Sequence, residues 1–284
     1  MRLDEVEESS EVEDQRGGGL RPGHYAAGGI GTIVIVIIYS LLGGNPNDLK
    51  GALPSQVGSP TQQSPAGGTA ANDEGKKFVS KVLRETEVVW EKILPEQTRK
   101  QYVHPKLVMF TNQVQSACGT ADSGMGPFYC PGDAKVYIDL AFYETMKQQL
   151  HADGDFARAY VVAHEVGHHV QNLLGTSNKV DQMRVRLSGK DFNKLSVRME
   201  LQADFFAGVW AHYARELHID EQDVRDVMNA ASQIGDDKLQ KQAQGYVVPD
   251  SFTHGTSAQR VKWFMAGFKS GRISDGNTFN TQDL

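Results

Sequence analysis

The seventeen residues AAGGIGTIVIVIIYSLL, Ala26 to Leu42, carry no charge and are dense in isoleucine and valine. An unbroken apolar run of this length sits at the lower limit for spanning a bilayer and is longer than a core strand. It is read as a transmembrane anchor over residues 25–42, with Tyr25 and Tyr39 near the two interfaces. The region ahead of it is long and acidic, and LLGGNPND offers no Ala-x-Ala site, so the run does not read as a cleaved signal peptide. Arg16 and Arg21 precede it, while Lys50 is the only base in the stretch up to Lys76. That asymmetry favours a single-pass protein with its N-terminus in the cytoplasm and its bulk outside.

The run divides the chain. Residues 1–24 hold seven acids against three arginines, a net −4 within a formal total of −6, and are read as an acidic N-terminal tail. The remainder is nearly neutral. Neither part offers the basic surface that phosphate neutralisation demands, which excludes nucleic acid as a partner. Residues 43–74 are rich in Gly, Pro, Ser and Gln and cannot bury enough apolar area to offset their ordering entropy. They are read as a flexible linker with a reach of roughly 30 Å. Residues 75–284 are long enough for one core, with no internal repeat.

Within this domain, KKFVSKVLRETEVVWEKIL sets Phe78, Val79, Val82, Leu83, Val89, Trp90 and Ile93 on a helical stripe that Pro95 is expected to end. KLVMFTNQV and AKVYIDLAFY read as strands. Between them, QSACGTADSGMGPFYCPGD reads as a glycine-rich loop holding both cysteines. With the domain outside the cytoplasm, Cys118 and Cys130 are expected to bridge, closing a loop of about 13 residues worth up to about 3 kcal/mol. From Phe156 onward the pattern is helical almost to the end. The class that follows is α+β, mainly helical with a small sheet.

In AYVVAHEVGHHVQNLLG, three histidines and a glutamate interrupt an apolar helix. His164 and His168 are four apart, so their imidazoles share one face and can point at a common atom. Glu165, about 100° further round, can reach a water on that atom without ligating it. Neutral imidazoles bind zinc, and an apolar shell keeps bulk water away, so burial and ionisable groups belong together here. Gly175 is a natural stop. A third ligand is available in SVRMELQADFFAGVWAHYARE, where Glu200 and Asp204 again lie four apart on an apolar helix. Glu200 can complete a His-His-Glu site, and Asp204 is placed to accept the free ring N–H of a ligand histidine.

The remaining histidines divide by position. His169 must point away from His168 and is read as a supporting or surface histidine; His212 and His218 read as surface residues. Phe205, Phe206 and Trp210 read as core. In DSFTHGTSAQRVKWFMAGFKSG, Thr256 or Ser257 can cap a helix that Gly271 ends. His254 lies on the loop entering it, from which it can donate to the oxyanion formed when water attacks a carbonyl.

Together HEVGHHVQNLLG, ELQADFFAG, FTHGTSAQR, the Cys118–Cys130 loop and VEDQRGGG resemble the bacterial family of neutral zinc metallopeptidases with a single N-terminal membrane anchor, over nearly the whole chain. The resemblance implies a zincin-like domain of the gluzincin kind, with His164, His168 and Glu200 as zinc ligands, Glu165 as the base and Asp204 behind the ligands. By analogy with distantly similar membrane-linked zinc peptidases, Thr253, His254 and Arg260 match a Thr-His pair followed by an arginine ahead of a late helix. The zincin analogy also implies that Ala134 to Phe142 forms the cleft edge and holds an extended substrate. The function that follows is hydrolysis of peptide or protein substrates by a zinc-activated water, with Zn²⁺ as the cofactor. The alternatives are a zinc-binding scaffold at the membrane without hydrolysis, and a metal-free adhesion or assembly factor. Oligomeric state and cleavage specificity are not encoded in these patterns.

Overall fold

The computed structural model describes residues 1–17, 70–184, 186–214, 217–281 and 284. The anchor at 25–42 and nearly all of the linker at 43–74 lie outside the described residues. Among the described residues, no helix is long and apolar enough to cross a membrane.

Helix α1, Ala70–Thr98, opens within the stretch read as linker and buries its stripe: Val79, Val82, Leu83, Val89, Trp90 and Ile93 are all in the core. Pro95 does not end it. The ring removes one intrahelical N–H, but it sits in the last turn, so the helix continues to Thr98 and the Arg99 N–H donates to the Pro95 carbonyl at 3.0 Å.

A four-stranded sheet packs beside the helices. Its strands are β1 (Val12–Asp14), β2 (Lys106–Phe110), β5 (Phe128–Cys130) and β6 (Lys135–Asp139), in the order β1-β2-β6-β5. β1, β2 and β6 run parallel, and β5 pairs antiparallel with β6. The AKVYIDLAFY segment is therefore strand only in its first half. Asp139 accepts the Ala141 N–H at 3.0 Å, and helix α2, Ala141–Gln148, starts there. Nor is this segment the cleft edge: β6 has neighbours on both sides, and the edge facing the helices is β5. The glycine-rich segment is more ordered than a loop. It folds as the hairpin β3 (Gln113–Ser116) and β4 (Gly119–Asp122), which the Cys118–Cys130 disulfide joins to β5.

Residues 1–17, read as a tail, pack on the domain. Val6 is buried, the Ser9 N–H donates to the Ser80 carbonyl, and Glu13 on β1 pairs with Lys106 at 3.2 Å and Lys135 at 2.8 Å. Glu13 meets opposite charges on the neighbouring strands, while Asp4, Glu5, Glu7 and Glu8 face solvent.

The helical layer comprises α3 (Asp155–Leu174), α4 (Thr176–Arg184), α5 (Gly189–Tyr213), α6 (Glu221–Gln233), α7 (Asp236–Gln244) and α8 (Ser257–Ser270). Thr256 caps α8 in a capping box with Gln259, and Gly271 ends it in the left-handed conformation. Glycines set the helix crossings. A Cβ on Gly167 of α3 would lie 2.8 Å from the Ala203 carbonyl oxygen of α5. Gly208 of α5 and Gly267 of α8 face each other's backbones so closely that a Cβ on either would collide with a carbonyl at 2.0 Å. Phe205, Phe206 and Trp210 are fully buried, as core residues should be.

Candidate metal centre

The site lies where α3 crosses α5. Close contact at Gly167 brings the His164 and His168 face of α3 onto the Glu200 and Asp204 face of α5. The His164 Nε2 lies 3.2 Å from one Glu200 oxygen, and the His168 Nε2 lies 3.5 Å from the other. One ligand atom from each of His164, His168 and Glu200 falls within 4.8 Å of the others, the one such cluster among the described residues.

Each imidazole is oriented from behind. The His164 Nδ1–H donates to Asp204 at 2.8 Å, and the His168 Nδ1–H donates to the Gln171 side-chain oxygen at 2.8 Å. The Gln171 amide is itself fixed by the Met199 carbonyl of α5 at 2.7 Å. Both rings thus turn Nε2 toward Glu200. Two imidazole nitrogens and a carboxylate oxygen, converging with their outer nitrogens already satisfied, form a donor set that fits zinc.

Asp204 is wholly buried and carries a network of its own. It accepts two hydrogen bonds from Arg260 of α8, at 2.8 and 2.9 Å, and one from the Tyr160 hydroxyl. Burial opposes its charge, but Arg260 and His164 hold its pKa at about 2. Burial likewise opposes charge on His164, yet Asp204 outweighs it and lifts the ring to about 10. Glu200 is held well below the usual carboxylate range because His168 and His164 outweigh its burial. Glu165 is buried beside the three and goes the other way: desolvation raises its pKa.

His254 stands on the loop before α8. The Asp236 carboxylate, at the start of α7, accepts the N–H groups of Thr253, His254 and Gly255 at 2.8, 2.6 and 2.9 Å. It also lies 3.2 Å from the His254 Nδ1. The ring is 48% exposed; the desolvation it does undergo opposes its charge, but Asp236 and the nearby charge of Glu200 raise its pKa.

His169 belongs neither to the metal cluster nor to the surface. It is buried, donates from Nε2 to the Val103 carbonyl at 2.6 Å and accepts the Tyr129 hydroxyl at Nδ1 at 3.0 Å. Desolvation lowers its pKa to about 4, so the ring is neutral and ties edge strand β5 to α3. Of the other two, His218 is exposed, and His212 donates to the Phe268 carbonyl at 2.7 Å. Sequence reasoning missed Tyr160, Gln171 and Asp236. Tyr160 lies four residues before His164, a spacing that could have revealed it; Asp236 lies 18 residues from His254 with no local signal.

Comparison with known proteins identifies the family. The family model described as "Putative neutral zinc metallopeptidase" matches residues 1–279. The Escherichia coli K12 protein described as "Uncharacterized protein YpfJ" is 48% identical over 287 residues, covering 98% of this chain and 99% of that one. The Mycobacterium tuberculosis H37Rv protein described as "Uncharacterized protein Rv2575" is 40% identical over 210 residues, covering 70% of this chain and 68% of that one. No solved structure matches the chain.

Proposed function

Because the chain belongs to the family of neutral zinc metallopeptidases, we propose that it is a membrane-attached zinc peptidase of the gluzincin kind, acting on peptides or proteins. The observation that supports this best is the convergence of His164, His168 and Glu200 within 4.8 Å, beside a buried glutamate that is not one of the three. When bound, zinc supplies a Lewis-acid centre that polarises a peptide carbonyl and lowers the pKa of a water.

Glu165 takes the proton of that water on its carboxylate and passes it to the departing amine. Burial beside the three ligands keeps bulk water from competing for that proton. Asp204, fixed by Arg260 and Tyr160, keeps His164 in the tautomer that presents Nε2. His254, with Nδ1–H toward Asp236, donates from Nε2–H to the carbonyl oxygen as it gains negative charge. The outer edge of β5, the end strand of the sheet among the described residues, pairs with the backbone of an extended substrate, a role that antiparallel addition to an edge strand allows. The domain lies on the non-cytoplasmic side, where Cys118–Cys130 persists, and the 25–42 run attaches it to the membrane.

Digestion of a proteome-derived peptide library, read by mass spectrometry, tests the reading. Zinc-dependent new termini are expected with the wild-type protein. The same products from metal-stripped protein, or none with the zinc-loaded form, would remove it.

A further inference from the structure

The motif VEDQR near the N-terminus has no part in the chemistry above, yet it is built into the domain. β1 supplies Val12, Glu13 and Asp14, in parallel register with Leu107, Val108 and Met109 of β2. The Gln15 N–H donates to the Met109 carbonyl at 2.8 Å, and the Leu107 N–H to the Glu11 carbonyl at 2.9 Å. Glu13 bridges Lys106 and Lys135, so one side chain of β1 spans the next two strands of the sheet. Further back, the Lys81 ammonium donates to the Leu3 carbonyl at 2.6 Å, the Ser80 hydroxyl donates to the Ser9 carbonyl at 3.1 Å, and the Arg2 N–H donates to the Leu217 carbonyl at 2.8 Å. Val6 lies in the main hydrophobic core with Leu83 and Val227.

These contacts conflict with a single membrane crossing between residues 17 and 70. One crossing would put β1 on one side of the bilayer and β2 on the other, leaving the backbone groups of β2 that face β1 unpaired, with only β6 beside it. We infer that residues 1–17 and the metal-binding domain occupy the same side of any membrane the chain is attached to. The N-terminal segment is then a structural part of the domain and not a cytoplasmic tail. Attachment from one face, without a net crossing, is the form of membrane contact this leaves open.

The full chain in native membranes tests this without assuming catalysis. Both native cysteines are in the disulfide and no free cysteine is present, so single thiols can be introduced at two exposed positions, Ser10→Cys and Lys269→Cys. A membrane-impermeant maleimide added to intact cells should label both or neither, and both after lysis. Labelling of one alone before lysis would overturn the inference. As a second readout, Val6→Asp places a charge in the core and should lower the melting temperature of the domain by about 4–8 °C. An unchanged melting temperature would mean that the segment is not docked.

Discussion

The metal centre and the sheet beside it place their charged groups by different means. Around the metal centre, the three ligands and Asp204 come as two pairs with four-residue spacing on two helices, and a glycine crossing presses those helices together. Asp204 and Arg260 are desolvated there, so each depends on the other, and removing either would leave a buried charge without its main countercharge. The sheet draws its strands from three separated stretches, 12–14, 106–110 and 128–139, and its ion pairs are only partly shielded. Charge around the site is therefore a matter of precise chemistry, whereas charge on the sheet is a modest docking force. The two halves should fail differently.

The largest expected effect is on chemistry alone. Glu165→Gln keeps shape and removes a proton acceptor, so turnover should fall by about 10⁴-fold while the melting temperature stays near wild type. A comparable loss of stability would mean that Glu165 is held for folding. His254→Ala should fold normally and bind zinc normally but lose about 10²- to 10³-fold in turnover, the usual effect of one missing oxyanion donor. Wild-type turnover would take His254 out of the site.

The sheet half should respond in stability. Replacing Cys118 and Cys130 together by alanine should destabilise the domain by up to about 3 kcal/mol, measured by denaturant unfolding of the zinc-loaded protein. Zinc stoichiometry should be unchanged in the folded protein. Zinc loss at full stability would mean that the sheet controls the site directly.

The smallest effect is electrostatic. The Arg16 guanidinium beside Asp14 outweighs its partial burial and holds its pKa at about 2, below the ordinary 3.8. A carboxylate depressed on folding stabilises the folded state above its unfolded pKa and loses that contribution as pH falls. The relevant window is from about pH 4 down to about 2. Because the pair is partly exposed, the contribution is at most about 1 kcal/mol. The acid limb of the melting-temperature profile should be correspondingly shallower in Asp14→Asn than in wild type, and identical limbs would mean that the Asp14–Arg16 pair adds nothing to the folded state.

The same difference explains what could be read in advance. A helix converts a spacing of four into a shared face, so His164, His168, Glu200 and Asp204 announce their geometry locally. Tyr160 and Gln171 stand at helical spacing from His164 and His168, but what fixes them in turn, like what fixes His254, comes from other elements. Asp236 reaches the His254 loop only because α7 and α8 pack together, and Gln171 matters only because it reaches the Met199 carbonyl across the crossing. Strand order is equally nonlocal. Nothing in AKVYIDLAFY tells whether a strand lies at an edge, and the chain places β1 beside β2 from nearly a hundred residues away. Acid-rich VEDQR resembles a solvated tail until Lys106 and Lys135 are seen opposite Glu13.

The central claim is that zinc is held by His164, His168 and Glu200 while Glu165 stays outside the ligand set. Its most direct test is the zinc content of purified Glu200→Ala and Glu165→Gln proteins, each verified as folded and equilibrated with the same buffered free zinc. Glu165→Gln is expected to retain one zinc per chain and Glu200→Ala to lose most of it. Full zinc in Glu200→Ala, or a metal-free Glu165→Gln, would contradict that division of roles.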